Sequence, residues 1–331
     1  MIICRTPFRV SFFGGGTDYP AWYKNNPGLT LSSTINKYSY LTVRRLPPFF
    51  DYQYRIRYFK QEFANEATQI EHPSVRECIK YLNIENGLEI VHNADLPAQS
   101  GLGSSSTFTV GLLHALQTLQ HKMPTKRELA LQAIDVEQNR IGEAVGSQDQ
   151  TAAAFGGMNI IKFGPGLTRH IDVSPLIVAE HRLEELQDHL LLCFTGFART
   201  AATVAQVQID ATPDRAAELT KMHQLCEEAI SILLDEATPL SVFGELLNEQ
   251  WRMKRSLTDR ISNEKIDEIY DVGMKNGAMG GKLLGAGGGG FMLFFAPKSA
   301  HHKIKESLNE KMFVPIRFET TGSKIVYYSN D

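Results

Sequence analysis

Residues 97–106 read PAQSGLGSSS and stand between LEIVHNADL, whose composition predicts a strand, and TFTVGLLHALQTLQ, whose pattern predicts a helix. No other junction constrains the chain as strongly. A glycine-rich turn feeding a helix brings unpaired backbone N–H groups and the positive end of the helix dipole to one point. One serine would cap the helix, and glycines suit tight turns. Three serines after two spaced glycines exceed what a cap requires, and the segment alone is balanced between a phosphate site and an ordinary loop.

The chain has 331 residues, long enough for two domains with a sizeable core. Hydrophobic residues make up 43% and charged residues 21%, which excludes a disordered or fibrous chain. A formal net charge of -3 provides no global attraction to nucleic acid or anionic lipid, so anion chemistry must be local and partners are expected to be small molecules. Cys4, Cys78, Cys193 and Cys226 are far apart, form no CxxC or Cys/His ligand pattern, and read as reduced core residues. The N-terminal MIICRTPFRVSFF has an early arginine and no long apolar core, and no other run approaches membrane length; a cytoplasmic protein is expected.

Residues 1 to about 60 alternate β-branched and aromatic residues with glycine and proline, which predicts strands. A helix is expected from about Ser105 to Leu119, and Thr125 with Glu128 forms a capping box opening a second one through Gln138. GGMNIIKF predicts a strand, FGPGLTRHIDVSP a loop, and DHLLLCFTG a new buried strand, with a soft domain boundary near residue 185. Thr212 and Pro213 are expected to open a helix whose core face carries Leu219, Met222, Cys226, Ile230 and Leu233. Helices around 241–257 and 264–276, the strand FMLFFA, a helix near 299–311 and closing strands PIRFE and KIVYY complete an α+β second half.

GKLLGAGGGGF, residues 281–291, formally contains GxGxxG at Gly285, Gly287 and Gly290, but it leads into a strand and does not open a helix, so a dinucleotide fingerprint is rejected. Four successive glycines carry a heavy entropic cost and imply that a ligand or another loop approaches the backbone closely. No GxxxxGK[ST] loop, GxSxG elbow or HExxH pair is present, and the ten histidines are assigned no role. RTPFRVSFFGGGTDYP places Arg9 and Asp18 on either side of a glycine turn, where a cation and a carboxylate could hold a phosphate and a hydroxyl, or simply flank a hairpin. VEQNRIGEAVGSQDQTAAAFGG adds Glu137 and Asp149, two carboxylates of the kind phosphoryl transfer needs for a magnesium ligand and for the acceptor hydroxyl.

Taken in order, RTPFRVSFFGGGTDY, PAQSGLGSSS, EQNRIGEAVGSQDQTAAAFGG and KLLGAGGGGF resemble the signature set of the GHMP kinases, over nearly the whole chain. The resemblance implies a two-domain GHMP kinase fold of the α+β class. Its N-terminal ATP-binding domain, residues 1–185, would be of the ribosomal protein S5 domain 2-like kind, and its C-terminal domain, residues 186–331, ferredoxin-like, with the active site between them. ATP and Mg2+ are the implied cofactors. Gly101, Leu102, Gly103, Ser104, Ser105 and Ser106 would form the ATP loop; Ser105 and Glu137 would hold the metal. Asp149 would face the acceptor hydroxyl, with Arg9 neutralising charge on the transferred phosphoryl. Gly15, Gly16, Thr17 and Asp18, with Gly287 and Gly288, would line the substrate.

Galactokinases read GEHTDY where this chain reads GGGTDY. FGGGTDYP, GSQDQ and FTGFART instead resemble the branch of the family that phosphorylates D-glycero-D-manno-heptose 7-phosphate at its anomeric hydroxyl for surface-polysaccharide synthesis. Such a substrate brings its own phosphate, for which Arg199 is the candidate, with Thr195 or Thr200 assisting. The implied partners are a sugar phosphate and ATP, without nucleic acid or membrane, on a monomer or homodimer. Another sugar 1-kinase with a fucose- or galactose-like substrate, or a catalytically silent sugar and ATP sensor, are the alternatives.

Overall fold

An 18-residue strand, β2 (Gly28–Arg45), organises the first half of the protein. A computed structural model describes residues 1–85, 87–196 and 201–329. The first half of β2 is buried on both faces, whereas its second half alternates between buried and half-buried residues, so one strand serves two environments. β1 (Ile2–Phe13) runs antiparallel along almost its full length. On the other side β2 pairs successively with two strands, β5 (Leu88–Ala94) through residues 39–45 and β6 (Met158–Phe163) through residues 28–33. β3 (Tyr54–Arg57) and β4 (Gln61–Ala64) extend the β5 edge, and β7 (Ile171–Pro175) extends the β6 edge.

β1 shifts register between Pro7 and Arg9 and again between Ser11 and Phe13. Pro7 cannot donate to the ladder, and the bulge between Pro7 and Arg9 re-aims the strand at Arg9. α3 (Ser104–Leu119) packs on β1 and β2, with Val110, Leu112, Leu113 and Leu116 fully buried among Ile2, Leu41, Val43 and Ile90. α4 (Lys126–Asp135) begins at the Thr125/Glu128 capping box and runs into a wider π turn, Val136–Ile141, closed by Gly142 at φ 77°. α5 (Gln148–Phe155) follows.

The second sheet has four antiparallel strands, β8 (Leu190–Phe194), β9 (Gly280–Leu283), β10 (Phe291–Phe295) and β11 (Met312–Val314), in spatial order β11, β8, β10, β9. With helices between β8 and β9 and between β10 and β11, this is the βαββαβ order of a ferredoxin-like domain, and the first crossover is expanded. The crossover contains α7 (Ala201–Ala211), α8 (Ala216–Leu234), α9 (Leu240–Leu257) and α10 (Glu264–Lys275). All five residues of β10 are buried, as expected of a strand covered on both faces. The chain then returns: β12 (Lys324–Tyr328) pairs antiparallel with β1, so a strand beyond residue 186 completes the first sheet. One core joins the halves, packing Phe8, Val10 and Leu31 with Leu225, Phe243 and Leu293.

Three local expectations change. The glycine-rich stretch after β6 contains β7, because Ile171–Pro175 finds a free sheet edge. PIRFE forms only a single bridge, Phe318 with Ile35, and the edge strand forms earlier at Met312–Val314. Thr212 does not cap α8 directly: its hydroxyl donates to Gln208 O at 3.1 Å at the end of α7, Thr212–Arg215 form a short 3-10 turn with Pro213 in its first turn, and α8 starts at Ala216. All four cysteines are free and buried, and no helix among the described residues is long and apolar enough to cross a membrane.

Candidate active site

Arg9, buried at the β1 bulge, joins two of the sequence motifs to its own. Its Nε and Nη2 donate to the two carboxylate oxygens of Asp149, each at 2.7 Å, and its Nη1 donates to Gly101 O at 2.8 Å. The Arg9 N–H donates to Leu102 O at 3.2 Å, so backbone and side chain together fix the glycine loop on β1. The Asp149 side chain, in the first turn of α5, stays a quarter exposed while that of Arg9 is 3% exposed. Each carboxylate oxygen keeps acceptor capacity beyond the guanidinium, and Asp149 is the more exposed partner of the pair.

Gly103 caps α3 at φ 78° with no side chain capping the helix, which leaves the first-turn N–H groups open to an anion. A Cβ on Gly103 would lie 3.4 Å from both Asp149 Oδ2 and Arg9 Cγ, so the loop passes against the ion pair. Ser104 accepts from Gln99 N–H at 3.3 Å, and Ser105 is exposed. Leu102 contributes its carbonyl to Arg9, while its side chain is buried in the shared core.

Glu137 is fully buried on the π turn, an irregularity that turns its carboxylate toward α3. Oε2 accepts from Ser106 Oγ at 2.8 Å and from Gln150 Nε2, whereas Oε1 is buried without a partner. Burial pushes the Glu137 carboxyl up to about 7, against the hydroxyls of Thr109 and Ser106 and the Gln150 amide, which favour the charged form. An orphaned carboxylate oxygen beside a hydroxyl and an open helix N-terminus fits one side of a Mg2+ site completed by phosphate oxygens. No group of three or more acidic, histidine or cysteine side chains is arranged to hold a metal among the described residues. Of the two serines, Ser106 donates to Glu137, while Ser105 faces outward at the open end of α3.

Asp18 is buried in the turn that follows β1, accepting from Gly16 N–H at 2.9 Å and Gln148 N–H at 3.4 Å. It presses on Gly146 so closely that a Cβ there would lie 1.8 Å from Asp18 Oδ2. Burial raises the Asp18 carboxyl above its usual range, and the charge of Asp149 adds to the shift. Ser11 Oγ donates to Gln148 Oε1 at 2.8 Å, and a Cβ on Gly15 would lie 3.5 Å from Gln148 Nε2, bringing the first and third motifs together.

Three of the residues expected at the substrate make contacts within the fold. Thr17 is fully buried with its hydroxyl 2.8 Å from Gly14 O and 3.1 Å from Leu29 O. A Cβ on Gly287 would lie 2.7 Å from Ile261 Cα, and Gly288 N–H donates to Ile261 O at 3.0 Å, so both glycines serve backbone packing. Across the glycine loops a Cβ on Gly285 would lie 2.6 Å from Gly101 Cα, and Phe291 N–H donates to Ser100 O at 3.1 Å. The close approach implied by GAGGGG is therefore that of the other glycine loop. Thr195 donates from its hydroxyl to Gly290 O at 2.8 Å; Arg199 and Thr200 lie outside the described residues.

Two buried lysines escaped sequence reasoning. Lys254, on α9, donates to Gly285 O, and Lys282, on β9, donates to Phe12 O at 2.8 Å. A signal existed for the first: Lys254 falls on the apolar helical face defined by Leu247, Trp251 and Leu257, where a lysine is out of place.

The GHMP kinases N terminal domain model matches residues 66–157, and the GHMP kinases C terminal model matches residues 233–313. The chain is 30% identical over 323 residues to D-glycero-alpha-D-manno-heptose 7-phosphate kinase of Campylobacter jejuni, covering 94% of each. It is 26% identical over 330 residues to the bifunctional fucokinase/GDP-fucose pyrophosphorylase of Arabidopsis thaliana, spanning 92% of this chain and 31% of that protein. In fold it superposes on a D-glycero-D-manno-heptose 1-phosphate kinase from Bacteroides thetaiotaomicron with a TM-score of 0.73 at 24% identity, covering 100% of both chains. The four motifs that converge on Arg9, Asp149 and Glu137 thus lie in a chain that belongs to the GHMP kinase family and is an ATP-dependent sugar kinase.

Proposed function

We propose that the protein transfers the γ-phosphoryl group of ATP to the anomeric hydroxyl of D-glycero-D-manno-heptose 7-phosphate, giving the 1,7-bisphosphate that nucleotide-activated heptose synthesis consumes. The observation that carries this reading is the two-pronged Arg9/Asp149 pair set against the open N-terminus of α3. The phosphates of ATP lie along the loop from Gly101 to Ser106, held by backbone amides at the helix N-terminus. The sugar oxygen bonds to the γ-phosphorus while the bond from that phosphorus to the bridging oxygen breaks, ADP leaves, and the hydroxyl proton passes to Asp149 and on to water. Arg9 orients the carboxylate and offsets charge developing on the phosphoryl oxygens.

Mg2+ supplies charge neutralisation and orientation of the phosphates when it is bound, and Glu137 with the Ser105 hydroxyl at the start of α3 would hold it. Asp18, with the backbone of Gly15, Gly16 and Gly146, forms the wall against which the sugar hydroxyls rest, and Arg199 takes the substrate's own phosphate. The extent of similarity to the Campylobacter heptose 7-phosphate kinase favours a heptose phosphate, whereas the plant fucokinase supports fucose as the second reading. A cytoplasmic location and a division near residue 185 belong to the same proposal. An ADP-release assay with D-glycero-D-manno-heptose 7-phosphate, galactose, fucose and mannose, alongside Asp149→Asn, tests it. Turnover of the heptose phosphate that collapses in the variant supports it, turnover of a free sugar alone removes the heptose, and ATP binding without turnover on any sugar leaves a sensor.

A further inference from the structure

Lys254 is 5% exposed and forms no ion pair among the described residues. Its ammonium has three donors, and one of them meets Gly285 O. Burying an ammonium against a carbonyl without a carboxylate partner opposes folding, and lysines are rarely this buried unless paired. Gly285 in turn lies against Gly101, which accepts from Arg9 Nη1 at 2.8 Å, and Arg9 holds both oxygens of Asp149. An unbroken chain of contacts thus runs from α9 in the second half, through both glycine loops, to the carboxylate in the first.

We propose that Lys254 is a positioning residue for phosphoryl transfer: it pins the Gly285 loop against the Gly101 loop, sets the register of Arg9 and Asp149, and brings a cation to the site from the C-terminal half. The assignment rests on Asp149 and Arg9 forming the transfer site. The charged groups that act on Lys254 are Asp18 and Asp149, which favour its protonated form, and Arg9, which opposes it; Lys282 on the adjacent β9 is the remaining cation nearby. Burial is the larger influence and brings the Lys254 ammonium down to about 8, so the clamp loosens on the alkaline side of neutrality. Lys282 differs: it is lowered well below the usual lysine range by burial and pins β9 to Phe12, away from the glycine loops.

The test is Lys254→Met, close in shape and without charge, compared with the unsubstituted enzyme and Asp149→Asn using ATP and the sugar that the unsubstituted enzyme turns over, from about pH 6.5 to about pH 9.5. The expected result is a kcat lower by roughly ten-fold or more with a raised KM for ATP. The unsubstituted enzyme should lose activity through a limb centred near pH 8, and that limb should vanish in Lys254→Met. Thermal unfolding of Lys254→Met establishes that it is folded, and the pH profile of the unsubstituted enzyme tests the proposal independently of any variant. A merely structural lysine would change the melting temperature and leave the pH profile and the balance of kcat and KM alone. Normal turnover in a folded Lys254→Met, or a flat alkaline profile in the unsubstituted enzyme, overturns the proposal. If Asp149→Asn retains turnover, the transfer site itself is wrongly placed; if only Lys254→Met retains it, the failure belongs to the clamp alone.

Discussion

Arg9 and Asp149, 140 residues apart, meet through two parallel hydrogen bonds of 2.7 Å that engage both oxygens of the carboxylate. This fork fixes the plane of Asp149 and leaves its exposed edge to a substrate, while the third nitrogen of the same guanidinium holds the nucleotide loop. Lysine has no planar fork, so Arg9→Lys should keep the charge and lose the orientation. Its kcat should fall by roughly 10²-fold or more with little change in KM for the sugar. Steady-state kinetics decide this: near-normal kcat in Arg9→Lys would mean that charge alone suffices.

Glu137 couples the π turn to α3 and bears an oxygen with no partner. Glu137→Gln removes a buried charge, and the apoprotein should gain on the order of 1 kcal/mol in stability. The same change removes the carboxylate that would meet the metal, so the rise in melting temperature on adding Mg2+ and ATP should shrink and turnover should drop by at least about ten-fold. A less stable apoprotein with undiminished Mg2+ response would assign Glu137 to the fold alone.

These two carboxylates also show why part of the site was legible in the chain and part was not. The first three motifs carry their chemistry in short runs whose glycines, hydroxyls and carboxylates have few local uses, and α3, β5, β6 and β10 follow from pattern and punctuation. Contacts between distant segments leave no such mark. Gly101 and Gly287 look equally fit to approach a ligand, yet a Cβ on Gly101 would meet Leu284 O at 2.3 Å and one on Gly287 would meet Ile261 Cα at 2.7 Å, partners that only the tertiary structure reveals. Ser105 and Ser106 are adjacent and chemically identical, and helix phase alone turns the second toward Glu137. β7 was hidden because its pairing comes from an edge of β6 that local sequence does not announce.

Gly146 has no room for a side chain, since a Cβ would lie 1.8 Å from Asp18 Oδ2 and 2.6 Å from Asp18 Cγ. Gly146→Ala should displace Asp18 and, with it, the wall of the sugar pocket. KM for the sugar should rise several-fold while KM for ATP stays near normal, because the Gly101 loop is held independently by Arg9. Equal changes in both constants would show that the turn and the nucleotide loop move as one body.

The lysine beneath the glycine loops makes a stability prediction whose sign is set by its protonation. Lys254 is lowered by burial from 10.5 to about 8. Below about pH 8 the folded and unfolded states both carry its proton, and the burial penalty is constant. Between about 8 and 10.5 the unfolded state binds more protons than the folded one, so this group raises stability as pH increases through that window. The full relief is on the order of 3 kcal/mol. Chemical denaturation at about pH 7 and about pH 10 should therefore show Lys254→Met more stable than the unsubstituted protein at the lower pH, with the difference narrowing at the higher one. Lys282, also lowered by burial, is common to both proteins and cancels from the comparison. A stability difference that stayed constant across the two pH values would mean that the charge of Lys254 is not what burial opposes.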